Sequence, residues 1–102
     1  MSKAGDGWKD AEGRRVRLMA LRRDKGADAP CWICGRPIDY AAKPGTTPDS
    51  WEPDHYLVRS RFPQYACDLG NLRPSHKRCN RARSAKASID PVGDASGSWR
   101  RG

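Results

Sequence analysis

The chain has 102 residues, of which 36% are hydrophobic, and its ten glycines and eight prolines leave little apolar material for a core. We expect one small domain, and small domains of this kind commonly depend on disulfides or a bound metal for stability. The 20 basic residues outnumber the 12 acidic ones, so the net charge of +8 favours a polyanionic partner such as nucleic acid, although many small basic proteins are merely soluble.

The N-terminal segment is charged and lacks the apolar stretch of a secretory signal, and no segment approaches the ~20 apolar residues of a membrane span. We therefore expect a cytoplasmic protein with no membrane partner, in a reducing compartment that keeps thiols available for metal. Residues 1–13 and 87–102 are polar and lack an apolar period, which predicts flexible terminal segments. Trp8 and Trp99 are aromatics that could pack back onto the domain.

Residues 14–23 form a helix-compatible run in which Val16, Met19 and Ala20 share one face. The pattern predicts a short N-terminal helix that packs on the domain. Contact of its arginines with phosphate is the alternative.

Cys31-x-x-Cys34 lies among the turn-forming residues of 28–40, and Gly35 follows the second cysteine. This composition predicts two short strands joined by a tight turn, the hairpin of a zinc knuckle. A redox role for the cysteine pair is the alternative, but no βαβ pattern accompanies it. Residues 41–50, which contain two prolines and a glycine, predict a loop.

Residues 51–58 are rich in aromatic and β-favouring side chains and predict a short strand, with Asp54 and His55 on opposite faces. The following residues, 59–74, predict an ordered loop. Together with the helix predicted after it, this order of elements indicates an α+β fold of ββα type.

A helix is predicted from His76 to about Lys86, with Ser75 as its cap, and it would place His76 and Cys79 on one face. With the two cysteines of the hairpin, this pair predicts a closed tetrahedral site for structural Zn²⁺. Such a site would contribute on the order of 10 kcal/mol to the folding of a domain with little core. Cys67 could replace His76 as a ligand, but it has no ligand partner close in sequence and is expected to be a free thiol.

Five pieces of the sequence, in this order and spacing, resemble the HNH endonuclease family. They are Cys31-x-x-Cys34-Gly35, Asp54-His55, Ser60-Arg61, Asn71-Leu72-Arg73-Pro74 and His76-x-x-Cys79-Asn80-x-Ala82-Arg83-Ser84. The resemblance covers residues 31 to about 84 and implies a nuclease domain over 14–86. It implies the ββα-metal (His-Me finger) fold, here with a structural zinc clasp and an N-terminal helix.

The activity implied by the resemblance is metal-dependent hydrolysis of phosphodiester bonds in DNA, by nicking or by double-strand cutting. His55 would be the general base, a task that suits its ordinary pKa. Asp54 would hold the catalytic cation against the scissile phosphate. Asn71 would brace the loop that carries the base by bonding to backbone.

The last motif departs from the commonest family pattern, because Asn80 stands where many members have the final histidine, as in the HNN variant. An amide oxygen beside Asp54 should favour Mg²⁺ or Mn²⁺ as the catalytic ion. His76 replaces the usual third zinc cysteine, which zinc accepts equally. Phe62-Pro63 replaces glycines that are common after the Ser-Arg pair.

No acidic residue lies between Leu69 and Ile89, so the predicted helix is basic. Contact with DNA phosphates is expected from seven basic residues, and a solvated basic face is the alternative. The seven are Arg59, Arg61, Arg73, Lys77, Arg78, Arg81 and Arg83.

Small HNH proteins are often encoded by phages, which implies the cytoplasm of a bacterial host and a role in genome packaging beside a terminase or another phage packaging protein. The alternative function is a zinc-dependent DNA-binding module without catalysis. In such a module Asp54, His55 and Asn80 would have no chemical task.

Overall fold

The computed structural model describes residues 6–89, with side chains described as far as residue 85. Within that range the chain forms helix α1 (Ala11–Gly26), strand β1 (Trp51–His55), strand β2 (Leu72–His76) and helix α2 (Lys77–Ile89). Most of the predicted C-terminal segment, including Trp99, lies outside the described residues. Neither helix of the described range is long and apolar enough to cross a membrane.

The sheet consists of two antiparallel strands, with Trp51 opposite His76 and His55 opposite Leu72. Strand β1 ends three residues before the predicted limit of 58. Strand β2 includes residues 72–74, which the sequence predicted as loop, and also Ser75 and His76, which it predicted as the cap and start of a helix. The prediction of a loop over all of 59–74 was therefore wrong. Strand β2 contains proline, serine and arginine rather than alternating β-branched residues, so its sequence carries almost no strand signal.

The two strands predicted around Cys31 and Cys34 do not form. Residues 32–34 are a turn, closed by hydrogen bonds from Gly35 N to Cys31 O (2.8 Å) and from Cys31 N to Arg36 O (3.0 Å). Gly35 has a φ of +80°, a conformation that glycine adopts without steric cost. The segment is joined to β2 by a hydrogen bond from Trp32 N to Pro74 O (2.9 Å), and an isolated bridge pairs Asp39 with Ser50.

Helix α1 is longer than the predicted 14–23, and its buried face includes Val16 and Ala20, whereas Met19 is 46% exposed. Buried Asp24 accepts a hydrogen bond from Trp51 Nε1 (3.0 Å), so the helix is fixed to β1 by a polar contact as well as by packing. The core that results is small. Its buried members are Val16, Ala20, Cys31, Ile38, Trp51 and Leu72.

Helix α2 begins one residue later than predicted, because His76 is the last residue of β2. Ser75 does not cap the helix: its hydroxyl donates to the carbonyl of Glu52 on the neighbouring strand (2.6 Å). Residues 6–89 thus form a small α+β fold of two α-helices and one two-stranded antiparallel sheet, in which α2 directly follows β2.

Candidate metal centre and the polar site beside it

Four side chains form a compact Cys₃His cluster, and their ligand atoms all lie within 4.8 Å of one another: Cys31, Cys34, His76 and Cys79. Three separate pieces of backbone supply them, namely residues 31–34, the end of β2 and the first turn of α2. The sequence predicted that His76 and Cys79 share one helical face. This prediction was wrong, because His76 lies in β2 and Cys79 in α2. The cluster is nevertheless positioned to bind a metal such as zinc, whose preferred ligands these are.

The His76 ring is oriented for this task by a contact on its far side. Nε2 donates to the carbonyl oxygen of Pro37 (2.7 Å), so Nδ1 carries the lone pair in the neutral ring. Nδ1 lies 3.4 Å from Cys34 Sγ and 3.7 Å from Cys79 Sγ, facing the cluster. Cys67 lies elsewhere, with its sulfur 3.7 Å from the carbonyl of Asp6, as expected for a thiol outside the zinc site.

The thiols of the cluster differ in acidity because their surroundings differ. A hydrogen bond from the backbone of Arg36 lowers the pKa of Cys34 to about 7. Burial, and then the nearby charge of Cys31, raise the pKa of Cys79 to about 12. A bound divalent cation would remove this difference in pKa, since a coordinating thiol is held deprotonated.

Asp54 is 2% exposed, and its carboxylate is surrounded by hydrogen-bond donors. Nη1 of Arg83 donates to both oxygens (2.8 and 2.9 Å), and Trp32 Nε1 donates to Oδ2 (2.8 Å). Burial raises the pKa of Asp54 despite the attraction of Arg83. Trp32 lies within the cysteine turn, so it connects the metal cluster directly to this carboxylate.

Arg83 was predicted to contact DNA phosphate, but its side chain is only 13% exposed. Besides Asp54, it donates to the backbone carbonyls of His55 (3.2 Å) and Tyr56 (3.1 Å). Arg83 is thus an internal counter-ion that joins α2 to the end of β1.

His55, the next residue on β1, contacts different neighbours. Its Nε2 donates to the carbonyl oxygen of buried Ala66 (2.9 Å), and the ring of Trp8 packs against it edge to face with centroids 4.3 Å apart. Burial lowers the pKa of His55, with a smaller opposing effect of the Ala66 contact. The lowered pKa favours the neutral form of the ring, in which the Nε2 bond to Ala66 leaves Nδ1 as the acceptor.

Asn71 is hydrogen-bonded to the backbone of two residues in the segment that follows His55. Its Oδ1 accepts from Leu57 N (2.8 Å), while Nδ2 donates to Leu57 O (3.1 Å) and Tyr65 O (3.1 Å). These bonds fix both ends of the segment that follows His55.

Asn80 is tied to Glu52, a residue that the sequence interpretation missed. Nδ2 of Asn80 donates to Glu52 Oε1 (2.9 Å), which leaves the amide oxygen as the remaining polar atom. Burial acts to raise the pKa of Glu52, but hydrogen bonds from Arg81 and Asn80 outweigh it and lower the pKa. Among the described side chains, no hydrogen bond joins Asn80 to Asp54. Glu52 could have been found from its spacing, because it lies two residues before Asp54 in a predicted strand and such residues share one strand face.

Several of the other predicted phosphate contacts are engaged with protein groups. Arg59 pairs with Asp6 (2.8 Å), Arg81 makes two bonds of 2.9 Å to Glu52, and Arg78 pairs with Asp49. Arg73 lies 4.3 Å over the ring of Tyr56. Arg61 is exposed, and Lys77 is partly buried at the start of α2. Arg78 and Arg81 keep 43% and 64% of their side-chain surface exposed, so both can still reach a polyanion.

Comparison with protein-family models, with characterised proteins and with solved structures finds no significant match to this chain.

Proposed function

We propose that the chain is a metal-dependent DNA endonuclease of the HNH type, built on the ββα-metal fold, with a structural zinc in the Cys₃His cluster. The observation that carries the proposal is the environment of His55. A neutral imidazole, fixed through Nε2 by Ala66 O at 2.9 Å, stands next to a buried carboxylate on the same strand.

This environment suits a general base. The base must be unprotonated near neutral pH, and burial lowers the pKa of His55 in that direction. The Ala66 contact assigns the hydrogen to Nε2, so Nδ1 can accept a proton from a water molecule that attacks phosphorus. Asn71 keeps the adjoining segment rigid through its contacts with Leu57 and Tyr65. A fixed ring limits the entropy lost on the way to the transition state.

The donor set for a catalytic cation consists of hard oxygens. Asp54 has about four lone-pair positions, of which Arg83 and Trp32 use three, and Asn80 retains its amide oxygen because Glu52 accepts from its nitrogen. Such donors fit Mg²⁺ or Mn²⁺ better than softer ions, provided that Arg83 yields part of the carboxylate. When bound, the cation would supply charge stabilisation for the scissile phosphate.

The proposed substrate is DNA, and its phosphates would meet the exposed basic side chains of α2 and of the segment after His55. Arg61, Arg78 and Arg81 are the exposed members of the predicted set. Affinity should therefore fall steeply as salt rises. Assistance to a phage terminase or another packaging protein stays a prediction of the family resemblance.

A second candidate, a zinc-dependent DNA-binding module without catalysis, is favoured by one specific observation. Both residues offered to the catalytic ion already have a partner within the protein, since Asp54 pairs with Arg83 and the amide nitrogen of Asn80 donates to Glu52. In that case the basic surface and the zinc clasp would be the functional elements.

Nicking of supercoiled plasmid by zinc-loaded protein separates the two candidates. We expect cleavage with Mg²⁺ or Mn²⁺ and none when these ions are omitted; omission is preferable to chelation because a chelator would also remove zinc. His55→Ala should reduce the rate on the order of a hundredfold or more, whereas Leu18→Ala, an exposed position on α1, should not.

DNA binding in a mobility-shift assay without any cleavage would support the binding module. Cleavage that His55→Ala leaves unchanged would overturn the assignment of the base.

A further inference from the structure

The residues before α1 form a short structured arm, defined here as Asp6 to Asp10. Gly7 O accepts from the backbone nitrogens of Asp10 and Gly13 (both 3.1 Å), and Trp8 N donates to the side chain of Asp6 (3.0 Å). The arm is therefore folded back on the first turn of the helix.

The arm approaches α1 so closely that only glycine is accommodated at position 13. A Cβ added to Gly13 would lie 1.9 Å from the carbonyl oxygen of Trp8, far inside van der Waals contact. By contrast, a Cβ at Gly26, the last residue of the same helix, would meet nothing within 4 Å. The arm can follow this path only because residue 13 is a glycine and has no side chain.

Side chains from two other parts of the fold fix the arm and the indole. Arg17 of α1 lies with its guanidinium 4.4 Å over the Trp8 ring and donates to the Trp8 carbonyl (3.0 Å). Arg59, in the segment after β1, pairs with Asp6 at 2.8 Å. The indole therefore has little freedom to turn away from its neighbours.

The next contact of the indole is the candidate general base. The rings of Trp8 and His55 are 4.3 Å apart at an interplanar angle of 76°, while Ala66 O holds the imidazole at Nε2. Together the two contacts restrict rotation of the imidazole about its own axis. A half-turn about the Cβ–Cγ bond would put Cε1 in the place of Nε2 and would break the Ala66 bond.

We infer that Trp8 is a positioning residue for His55: the arm holds the imidazole in the orientation in which Nε2 donates to Ala66 O, and it acts through this ring rather than on the substrate. The catalytic part of this inference rests on the proposed nuclease activity. The packing part does not, because the state of the imidazole is measurable in the absence of DNA.

The test compares Trp8→Ala, Trp8→Phe and Gly13→Ala with Gly26→Ala as the matched helix control, all in the zinc-loaded full chain. The chain has two histidines, so the nitrogen chemical shifts of His55 and His76 can both be followed, with His76 as an internal reference. We expect Trp8→Ala and Gly13→Ala to lose the single Nε2–H tautomer at His55 and to leave His76 unchanged. Trp8→Phe, which keeps an aromatic edge, should retain most of the wild-type signal.

In the plasmid assay Trp8→Ala and Gly13→Ala should lower kcat on the order of tenfold to a hundredfold with little change in KM, and Gly26→Ala should match wild type. Wild-type imidazole signals in both Trp8→Ala and Gly13→Ala would overturn the inference. So would a change in KM alone, which would make the arm a DNA contact. Wild-type protein that does not cleave DNA would refute the proposed function, and the imidazole signals would still decide the positioning role. If Trp8→Ala loses zinc or unfolds, Gly13→Ala decides the inference by the same imidazole signals.

Discussion

The Cys₃His cluster and the Asp54–His55 site are joined by Trp32 but are organised in opposite ways. In the cluster, four ligand atoms converge within 4.8 Å, and their surroundings lower the pKa of Cys34 to about 7 but raise that of Cys79 to about 12. In the second site each polar group already has a protein partner: Asp54 has Arg83, and His55 has Ala66 O.

This difference implies different dependence on a cation. The cluster binds metal as thiolates, which repel one another at this distance unless a cation neutralises them, so the fold should depend on the ion. A carboxylate paired with arginine and a histidine bonded to backbone are stable without one. The second site can therefore persist in a folded protein whether or not a divalent ion is present, and the following variants test that contrast.

The largest effect is expected at the cluster. Cys31→Ser removes a buried ligand and should unfold the domain, because zinc sites of this kind contribute on the order of 10 kcal/mol. A thermal melt combined with measurement of bound zinc checks this. Cys67→Ser is the matched control, and its melt should stay close to that of wild type. A folded, zinc-free Cys31→Ser protein would contradict the structural role of the metal.

The next effect tests whether protein contacts alone hold the second site. Arg83→Met leaves Asp54 buried without its partner and should cost about 3–5 kcal/mol in free energy of unfolding at pH 7. The loss should shrink as pH falls, because protonation removes the unpaired charge. Denaturant unfolding with and without Mg²⁺ measures both effects, and recovery on adding Mg²⁺ would show that a cation can take the place of the guanidinium. A loss below about 1 kcal/mol would contradict the assigned role of Arg83.

A smaller effect is expected where the hydrogen bonds are uncharged. Asn71→Ala removes three bonds to the backbone of Leu57 and Tyr65 and should cost about 2–3 kcal/mol. The variant should remain folded and keep its zinc. Its rate of DNA cleavage should fall even at temperatures well below its melting temperature. Loss of zinc on this substitution would show that the two regions are not independent.

The smallest effect concerns Glu52, whose carboxylate holds the amide of Asn80. Its pKa is lowered from the ordinary 4.5, so the stability it contributes is fully present above about pH 4.5 and is lost as pH falls through the lowered value. Glu52→Gln should cost about 1 kcal/mol at pH 7 and less in acid. Denaturant unfolding at several pH values checks this. A difference from wild type that grows on acidification would contradict the sign.

The ligands of the metal cluster could be identified from sequence because spacing alone limits them: two close pairs of soft ligands in a chain with a small core have few other uses. Strand β2 could not be identified from sequence, because its residues favour no particular structure and it is a strand only through its pairing with β1. The same limit applied to Ser75 and His76, which were assigned to a helix start and lie in the sheet.

The local sequence thus determined the residue types of the site: the Cys₃His set, the adjacent Asp54 and His55, and the basic character of α2. The tertiary structure decided what each of them contacts. Arg83 faces Asp54 instead of solvent, Asn80 is turned by Glu52, and Trp8 packs on His55 from a segment expected to be flexible. These contacts join residues far apart in the chain, and no local pattern encodes them, because burial and charge pairing depend on which surfaces the folded chain brings together.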